Sequence, residues 1–162
     1  MTTPLLQGFP PVVDGRAGVL ILGSFPSERS LETGEYDANR RHQFSPLLGA
    51  VFGFAADLPY RDRLAATTGH GVALWDVVHS CRRSGSMDHK IDRNSLVIND
   101  FGSLIGENPG IERVFLNGAT AFDLYQRHVT LPLPAVRLTS SSGAAAMALP
   151  AKLELWRVLS GF

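Results

Sequence analysis

The chain has 162 residues, 44% of them hydrophobic and 19% charged, which is typical of one globular domain rather than two. Its 15 Lys and Arg residues balance its 15 Asp and Glu residues, so the formal net charge of zero excludes a polybasic nucleic-acid arm and an acidic tail. The single cysteine, Cys81, excludes a disulfide framework and a cysteine-only zinc site.

The sequence predicts neither a secretory signal peptide nor a membrane-spanning segment. The first residues, Met1 to Pro4, lack the basic and then apolar pattern of a signal peptide. The longest charge-free runs, 43–56 and 138–151, have 14 residues each and are too short to cross a bilayer. We expect a cytoplasmic protein without membrane association.

Four short apolar runs predict β-strands. The first three are almost continuous in Val, Ile and Leu, as strands buried on both faces are, whereas the fourth alternates and suits a sheet edge. The runs are 18–23, 71–75, 113–117 and 135–139.

Helical spacing of apolar residues fills the intervals between these runs. The predicted helices are 44–52, 95–105, 119–129 and 150–159. Strands that alternate with helices predict an α/β fold, a three-layer α/β/α sandwich with a central, mainly parallel four-stranded sheet. We interpret residues 1–162 as a single domain.

Ligands of open α/β sheets bind beyond the carboxyl ends of the strands. Chemistry is therefore expected from the segments that follow the four strands, together with the loop 33–44. The four segments are 23–27, 76–80, 117–118 and 139–143. The first, Gly23-Ser-Phe-Pro-Ser27, matches neither standard glycine-rich phosphate motif, so on its own it predicts only a tight turn.

The wider sequence resembles the uracil-DNA glycosylase superfamily, and within it the branch of hypoxanthine (deoxyinosine) DNA glycosylases. The resemblance begins with Leu-Gly-Ser-Phe-Pro-Ser-x-x-Ser-Leu at 22–31 and covers most of the chain in order. Its further motifs are Gly34-x-Tyr36, Gln43-Phe44, Ala73-Leu-Trp-Asp-Val77, Gly85-Ser-Met-Asp88, Asn99-Asp-Phe101, Phe115-Leu-Asn-Gly118 with Ala121, and Lys152 with Trp156.

This resemblance implies hydrolysis of the N-glycosidic bond of a damaged base that has been flipped out of DNA, in base excision repair. Such a reaction needs a fitted pocket with an aromatic face. It also needs a polar group that positions the attacking water and donors for the charge on the leaving base. The expected substrate is DNA that contains a deaminated base, hypoxanthine or uracil. We expect the protein to act as a monomer and without a cofactor.

The two segments that are expected to touch substrate depart from the family pattern. Relatives typically have Tyr-Tyr-x-x-Pro-x-Asn-x-Phe-Trp where residues 36–45 lie, and a Pro-Ser-Thr-Ser-Pro-Ala-Asn-like segment where residues 139–145 lie. Here Asp37 replaces the second Tyr, Arg40 replaces Pro, His42 replaces Asn and Ser45 replaces Trp. The serines of the second segment remain, but both prolines and the Asn are lost.

Three polar residues are the catalytic candidates. Asp37 can orient a water molecule, and His42 can exchange a proton near neutral pH. Asn39 is a further candidate, equally compatible with a turn residue. Solvent-exposed side chains without a catalytic role are the alternative for Asp37 and His42.

The other candidates divide into two sets. The base pocket is predicted to contain Gly23, Ser24, Phe25, Pro26, Tyr36, Phe44 and Asn117. DNA contacts are predicted for Ser27, Arg40, Arg41, Arg82, Arg83, Ser140, Ser141 and Ser142.

Several of these residues have structural alternatives. Asn117 would cap a helix, Arg82 and Arg83 would belong to a solvated mixed-charge loop, and Asp76 is interpreted as structural. The five histidines, at 42, 70, 79, 89 and 128, do not cluster with acids, so we predict no metal site.

Two rival functions stay open on the sequence alone. In the first, the chain is a catalytically silent member of the superfamily that binds nucleic acid or a nucleoside in the same crevice. An unrelated small-molecule α/β enzyme is the third possibility, and it would be favoured if the loops 33–44 and 139–145 lay at opposite ends of the sheet.

Overall fold

A computed structural model describes residues 3–36, 43–142 and 147–161. Its four-stranded parallel sheet has the order β3-β2-β6-β7. The strands are β2 (Val19–Gly23), β3 (Val72–Asp76), β6 (Arg113–Asn117) and β7 (Ala135–Leu138). These are the four apolar runs of the sequence, and the alternating run is at an edge, as predicted.

Alternate residues of each central strand enter two separate cores. In β2, Leu20 and Leu22 pack into one core while Val19 and Ile21 pack into the other. Because both faces of the sheet are covered, the strand has to be apolar at every position. The three-layer α/β arrangement is confirmed.

Helices on the first face come from three parts of the chain. They are α2 (Phe44–Phe52), α3 (Tyr60–Gly69) and α6 (Leu149–Trp156), which a 3₁₀ turn (Arg157–Gly161) extends. Their apolar side chains surround the fully buried Trp156 and Phe115. The sequence did not predict α3, in which Leu64 packs against this core as a partly buried residue.

The second face is covered by α4 (Phe101–Glu107) and α5 (Ala119–His128), and by an additional antiparallel sheet of order β1-β4-β5. The strands of this sheet are β1 (Leu5–Gln7), β4 (Val78–Arg83) and β5 (Ile91–Ile98), and a 3₁₀ turn (Asp88–Lys90) precedes β5. Val77 alone separates β3 from β4, so the chain passes directly from one sheet into the other.

The helix predicted over 95–105 is wrong in its first half. Residues up to Ile98 belong to β5, and the helix begins at Phe101, where the side chain of Asp100 accepts a hydrogen bond from the Ser103 N–H. Leu96 and Ile98 are two residues apart, which is a strand spacing, whereas only Phe101, Leu104 and Ile105 have the helical spacing. In the segment 76–80, Asp76 ends β3 and Val78 begins β4.

A short helix, α1 (Glu28–Thr33), follows the turn after β2. Ser27 caps it, because its Oγ accepts a hydrogen bond from the Ser30 N–H. None of the helices in the described ranges has the length and apolar character needed to span a bilayer.

Candidate active site

A crevice of about 690 Å³ opens where β2, β3 and β6 end. Gly23, Asp76 and Asn117, the last residues of these strands, all line it. This is the edge at which α/β sheets bind their ligands, and the volume lies in the usual range for a ligand pocket. All seven residues predicted for the base pocket line the crevice: Gly23, Ser24, Phe25, Pro26, Tyr36, Phe44 and Asn117.

The turn after β2 passes close to the carboxyl group that ends β3. A Cβ atom on residue 23 would lie 2.6 Å from Oδ1 of Asp76, so only glycine fits there without a shift. The next residue, Ser24, donates a hydrogen bond of 2.7 Å from Oγ to Oδ1 of Asp88. The Ser86 Oγ accepts a 2.9 Å hydrogen bond from the Glu28 N–H. The turn is thus tied to the segment that leads into β5.

Asp76 is the buried titratable group of this crevice. The residue is 6% exposed, and its Oδ2 has no hydrogen-bond partner within the described part of the chain. Burial raises the pKa of the Asp76 carboxyl to about 7, the nearby Asp88 carboxylate acts in the same direction, and Arg83 opposes the shift. The carboxyl can therefore gain or lose a proton near neutral pH.

Asp76 and Asp88 were not among the predicted site residues. Asp76 was interpreted as structural, as a residue that holds the strand end or the following helix. Its lack of a partner depends on the tertiary packing, to which the sequence gives no signal. Asp88 had one signal, its place in the Gly-Ser-Met-Asp motif at 85–88.

Three aromatic side chains form apolar parts of the wall. Phe25 has the Arg83 guanidinium over its ring, 5.1 Å from the centroid. Tyr36 packs edge-to-face against Phe9, with ring centroids 5.1 Å apart. Phe44 makes a similar contact with Trp156, at 5.8 Å.

The hydroxyl group of Tyr36 is buried among these groups. It has no hydrogen-bond partner in the described residues. Burial raises the pKa of this hydroxyl well above its ordinary value, and the Asp76 carboxyl adds to the shift. Tyr36 is therefore a neutral donor in the crevice wall.

Asn117 is paired with the serine segment, which we define as residues 139–142. Its Nδ2 donates to Ser141 Oγ at 2.8 Å, and its Oδ1 accepts from the Ser141 N–H at 2.9 Å. The alternative role of helix cap is wrong, because Gly118 is the N-cap residue of α5 and no side chain caps that end. Asn117 holds the serine segment while lining the crevice.

The serines predicted to contact DNA separate into two groups. Ser27, Ser140 and Ser142 line the crevice. Ser141 is 0% exposed and bonded to Asn117, so a direct contact with DNA does not fit its position. Its burial arises because the segment turns inward to meet the end of β6.

The two arginines of β4 also differ from the prediction. Arg82 and Arg83 lie in a strand, where a loop was expected. Arg83 is 3% exposed and donates from Nε to the Gly85 carbonyl at 2.7 Å. Its buried guanidinium group is therefore not placed to contact a DNA phosphate. The partly buried Arg82 donates from Nη1 to the Thr3 carbonyl at 2.6 Å.

The predicted catalytic residues Asp37, Asn39 and His42 lie outside the described residues, as do Arg40 and Arg41. The residues next to them are described. The Gln43 N–H donates to the Ser141 carbonyl at 2.7 Å, so the described end of the loop 33–44 lies beside the serine segment, at the same end of the sheet. The arrangement that would have favoured an unrelated enzyme is not present.

The crevice therefore combines aromatic surfaces with serine hydroxyls and a carboxyl group that titrates near neutrality. Aromatic surfaces bind planar rings by stacking. Hydroxyls and backbone N–H groups bind phosphate oxygens or the polar edge of a base. A ring-containing, hydrogen-bonding ligand fits this set better than a simple anion or an aliphatic chain.

No protein-family model matches the chain. It is 32% identical over 151 residues to the hypoxanthine DNA glycosylase of Methanosarcina barkeri, covering 93% of this chain and 94% of the relative. Its identity to the hypoxanthine DNA glycosylase of Methanosarcina acetivorans is 34% over 139 residues, covering 85% and 87% of the two chains.

A solved structure shares the fold over the same length. It is a solution NMR structure from Methanosarcina acetivorans, provisionally described as a uracil DNA glycosylase, with a TM-score of 0.85 and 31% sequence identity. The alignment covers 98% of both chains. Sequence and fold agree over nearly the whole length, and the chain belongs to the hypoxanthine DNA glycosylase branch of the uracil-DNA glycosylase superfamily.

Proposed function

We propose that the protein is a monofunctional DNA glycosylase that releases a deaminated base, hypoxanthine or uracil, from damaged DNA in base excision repair. The observation that carries the proposal is the crevice at the ends of β2, β3 and β6, which the seven predicted pocket residues line together. Its dimensions suit one flipped nucleotide, and the relatives named above carry the corresponding activity in their names.

In the proposed reaction, water attacks C1′ of the deoxyribose while the N-glycosidic bond breaks. The bonding electrons leave with the base, which takes up a proton, and the products are the free base and an abasic site. The sugar develops oxocarbenium character, so the attacking water has to be held on the face opposite the base. Asp37 and His42 are proposed for that task, with Asn39 as a third candidate.

Asp76 gives the pocket a group that distinguishes a base whose ring nitrogen carries a hydrogen from a base whose ring nitrogen is an acceptor. Hypoxanthine and uracil each present an imino N–H beside a carbonyl, whereas adenine and cytosine present a ring-nitrogen acceptor at the same place. An ionised Asp76 accepts from the imino N–H and repels the acceptor. The pKa of about 7 makes this preference dependent on pH in the neutral range.

DNA backbone contacts are proposed for the crevice serines Ser27, Ser140 and Ser142, together with Arg40 and Arg41. The chain has no net charge, so its attraction for DNA must come from such a local patch. We propose a monomer that binds one lesion at a time and uses no cofactor.

The test is an excision panel on single- and double-stranded oligonucleotides that carry uracil, hypoxanthine or xanthine. We expect release of hypoxanthine or uracil, detected as strand cleavage at the abasic site after alkali. Absence of release at a large excess of protein, with DNA binding retained, would instead identify a catalytically silent member.

The panel also separates the catalytic candidates. Asp37→Ala and His42→Ala are each expected to slow excision by about 100-fold or more, since positioned acid–base groups contribute about that much. Asn39→Ala is measured beside them. If all three variants kept the wild-type rate, the role assignments would fail while the glycosylase activity stood.

A further inference from the structure

Lys152, on α6, is a buried cation whose described partners are all uncharged. Its side chain is 0% exposed. Its Nζ donates to Gln43 Oε1 at 2.7 Å and to the Ser142 carbonyl at 3.0 Å. No carboxylate of the described ranges lies within ion-pair distance of it.

Stability does not explain a lysine at this place. A buried ammonium group loses its hydration, and two neutral oxygens compensate only in part. Burial accordingly lowers the pKa of Lys152. An apolar side chain of similar length would fill the same space without this cost, so the hydrogen bonds of Lys152 need another explanation.

Those hydrogen bonds join two segments that are far apart in the sequence and adjacent in space. Gln43 directly precedes Phe44, and both Phe44 and Ser142 line the crevice. The Gln43 N–H donates to the Ser141 carbonyl, so the same two segments are joined twice. Lys152 is the one side chain in the described residues that bonds to both Gln43 and Ser142.

The helix that carries Lys152 fixes a second point of the same segment. Trp156, one helical turn further along α6, donates from Nε1 to the Thr139 carbonyl at 2.9 Å. Asn117 holds Ser141 between these two points. The serine segment is therefore held at three of its four residues, and Lys152 alone extends this framework to Gln43 through a side chain.

We propose that Lys152 is a positioning residue that fixes two adjacent parts of the crevice wall, those of Phe44 and Ser142, relative to each other. The proposal rests on the proposed function, because the walls are meant to hold the flipped nucleotide. Lys152 is not among the residues that line the crevice, so we assign it no contact with the substrate. It acts on the reaction through Gln43 and Ser142, and a displacement of about 1 Å in such a wall is enough to cost about 100-fold in rate.

The first experiment compares Lys152→Met with Lys90→Met. Lys90 is the only other lysine of the chain and is exposed, so the same chemical change is made outside the buried framework. The substrate is the deoxyinosine or deoxyuridine oligonucleotide that the wild-type protein cleaves. Single-turnover excision at saturating protein, affinity for an undamaged duplex and the urea midpoint are measured for each variant.

We expect Lys152→Met to excise at least about 10-fold more slowly, with duplex affinity within about 3-fold of wild type. Its urea midpoint should stay close to that of the wild type, because removal of the buried ammonium group offsets the loss of the donor for the Gln43 and Ser142 oxygens. Lys90→Met should match the wild type in all three measurements. A residue with only a structural role would lower the urea midpoint and leave the rate of the folded molecules unchanged, and that result would overturn the proposal.

Gln43→Leu is the second variant and decides the question if Lys152→Met does not fold. It removes the acceptor of Lys152 and should slow excision to a similar extent, whereas Gln126→Leu, on the exposed side of α5, should not. The double variant should be no slower than either single one. If both single variants excise the base at the wild-type rate, the positioning role is refuted and the proposed function is not. If the wild-type protein itself releases no base, the proposed function is refuted.

Discussion

Asn117 and Ser141 form two hydrogen bonds across 24 residues of sequence, one of 2.8 Å from Nδ2 to Oγ and one of 2.9 Å from the Ser141 N–H to Oδ1. The end of β6 is thereby joined to the serine segment at a residue with no exposed surface. Both bonds use the amide side chain of Asn117, which holds the serine segment together with the side chains of Trp156 and Lys152.

Asn117→Ala is expected to lower the free energy of unfolding by about 1–3 kcal/mol, because it leaves the buried Ser141 N–H without its acceptor. Urea unfolding measures the change. Asn94→Ala, in the exposed part of β5, is the control and should stay within about 0.5 kcal/mol of wild type. Equal effects of the two substitutions would show that the pair contributes nothing to the fold.

Asp76 makes the stability of the protein depend on pH. Its pKa is about 7 in the folded protein against 3.8 as the ordinary value, so the folded state binds the proton more tightly than the unfolded state. Between about pH 4 and pH 7 the free energy of unfolding therefore falls as the pH rises. Asp76→Asn removes this dependence.

We expect Asp76→Asn to be more stable than wild type at pH 8, by on the order of 1–3 kcal/mol, and the difference to shrink toward pH 4. Urea unfolding at pH 4, 6 and 8 is the measurement. A stability difference that stays constant over this range would contradict the raised pKa.

Gly23→Ala places a methyl group 2.6 Å from Oδ1 of Asp76, and the resulting shift should cost about 1–3 kcal/mol. The cost should be smaller in an Asp76→Ala background, where the conflicting oxygen is absent. Thermal or urea unfolding of the wild type, the two single variants and the double variant gives the coupling free energy between residues 23 and 76.

Gly106→Ala, on α4, is the control for that cycle, since a Cβ there meets nothing within 4 Å. It should be neutral or stabilising by up to about 1 kcal/mol. If Gly23→Ala cost as much in the Asp76→Ala background as in the wild type, the effect would belong to the backbone and not to the Asp76 carboxyl.

Arg83→Met tests whether the buried arginine of β4 contacts DNA. Each phosphate contact contributes about 0.9 to the slope of log affinity against log salt concentration. The guanidinium lies over Phe25 and is almost unexposed, so the slope should stay at the wild-type value while the urea midpoint falls. The double variant Arg40→Ala, Arg41→Ala should instead lower the slope by about one to two units.

A fluorescence titration of labelled duplex at several salt concentrations provides these slopes. A reduced slope in Arg83→Met, with the fold intact, would restore the phosphate contact that the sequence suggested. An unchanged slope in the Arg40 and Arg41 variant would remove the loop arginines from the DNA interface.

The parallel sheet was predictable because its information is local. Each run such as Val19 to Leu22 is apolar at consecutive positions, and only a strand covered on both faces needs that pattern. The antiparallel sheet was not predictable in the same way. Strand β4 mixes buried Cys81 with Arg82 and Arg83, and its partner β1 lies more than 70 residues earlier in the chain.

The crevice residues were predicted because they follow strand ends and match a family motif. The unpartnered carboxyl oxygen of Asp76 and the uncharged surroundings of Lys152 were not, since both are properties of packing between distant segments. A sequence identifies an acid or a lysine, but the absence of a counter-charge becomes visible only when the neighbours are known.

Lys152 and Trp156 belong to α6, which follows every strand of both sheets along the chain. During synthesis, the residues of all the strands leave the ribosome before these two donors do. A nascent chain can thus complete its strands while the Thr139 and Ser142 carbonyls still lack the donors of α6. The hydrogen bonds from α6 to the serine segment can therefore form only after the last strand has been synthesised.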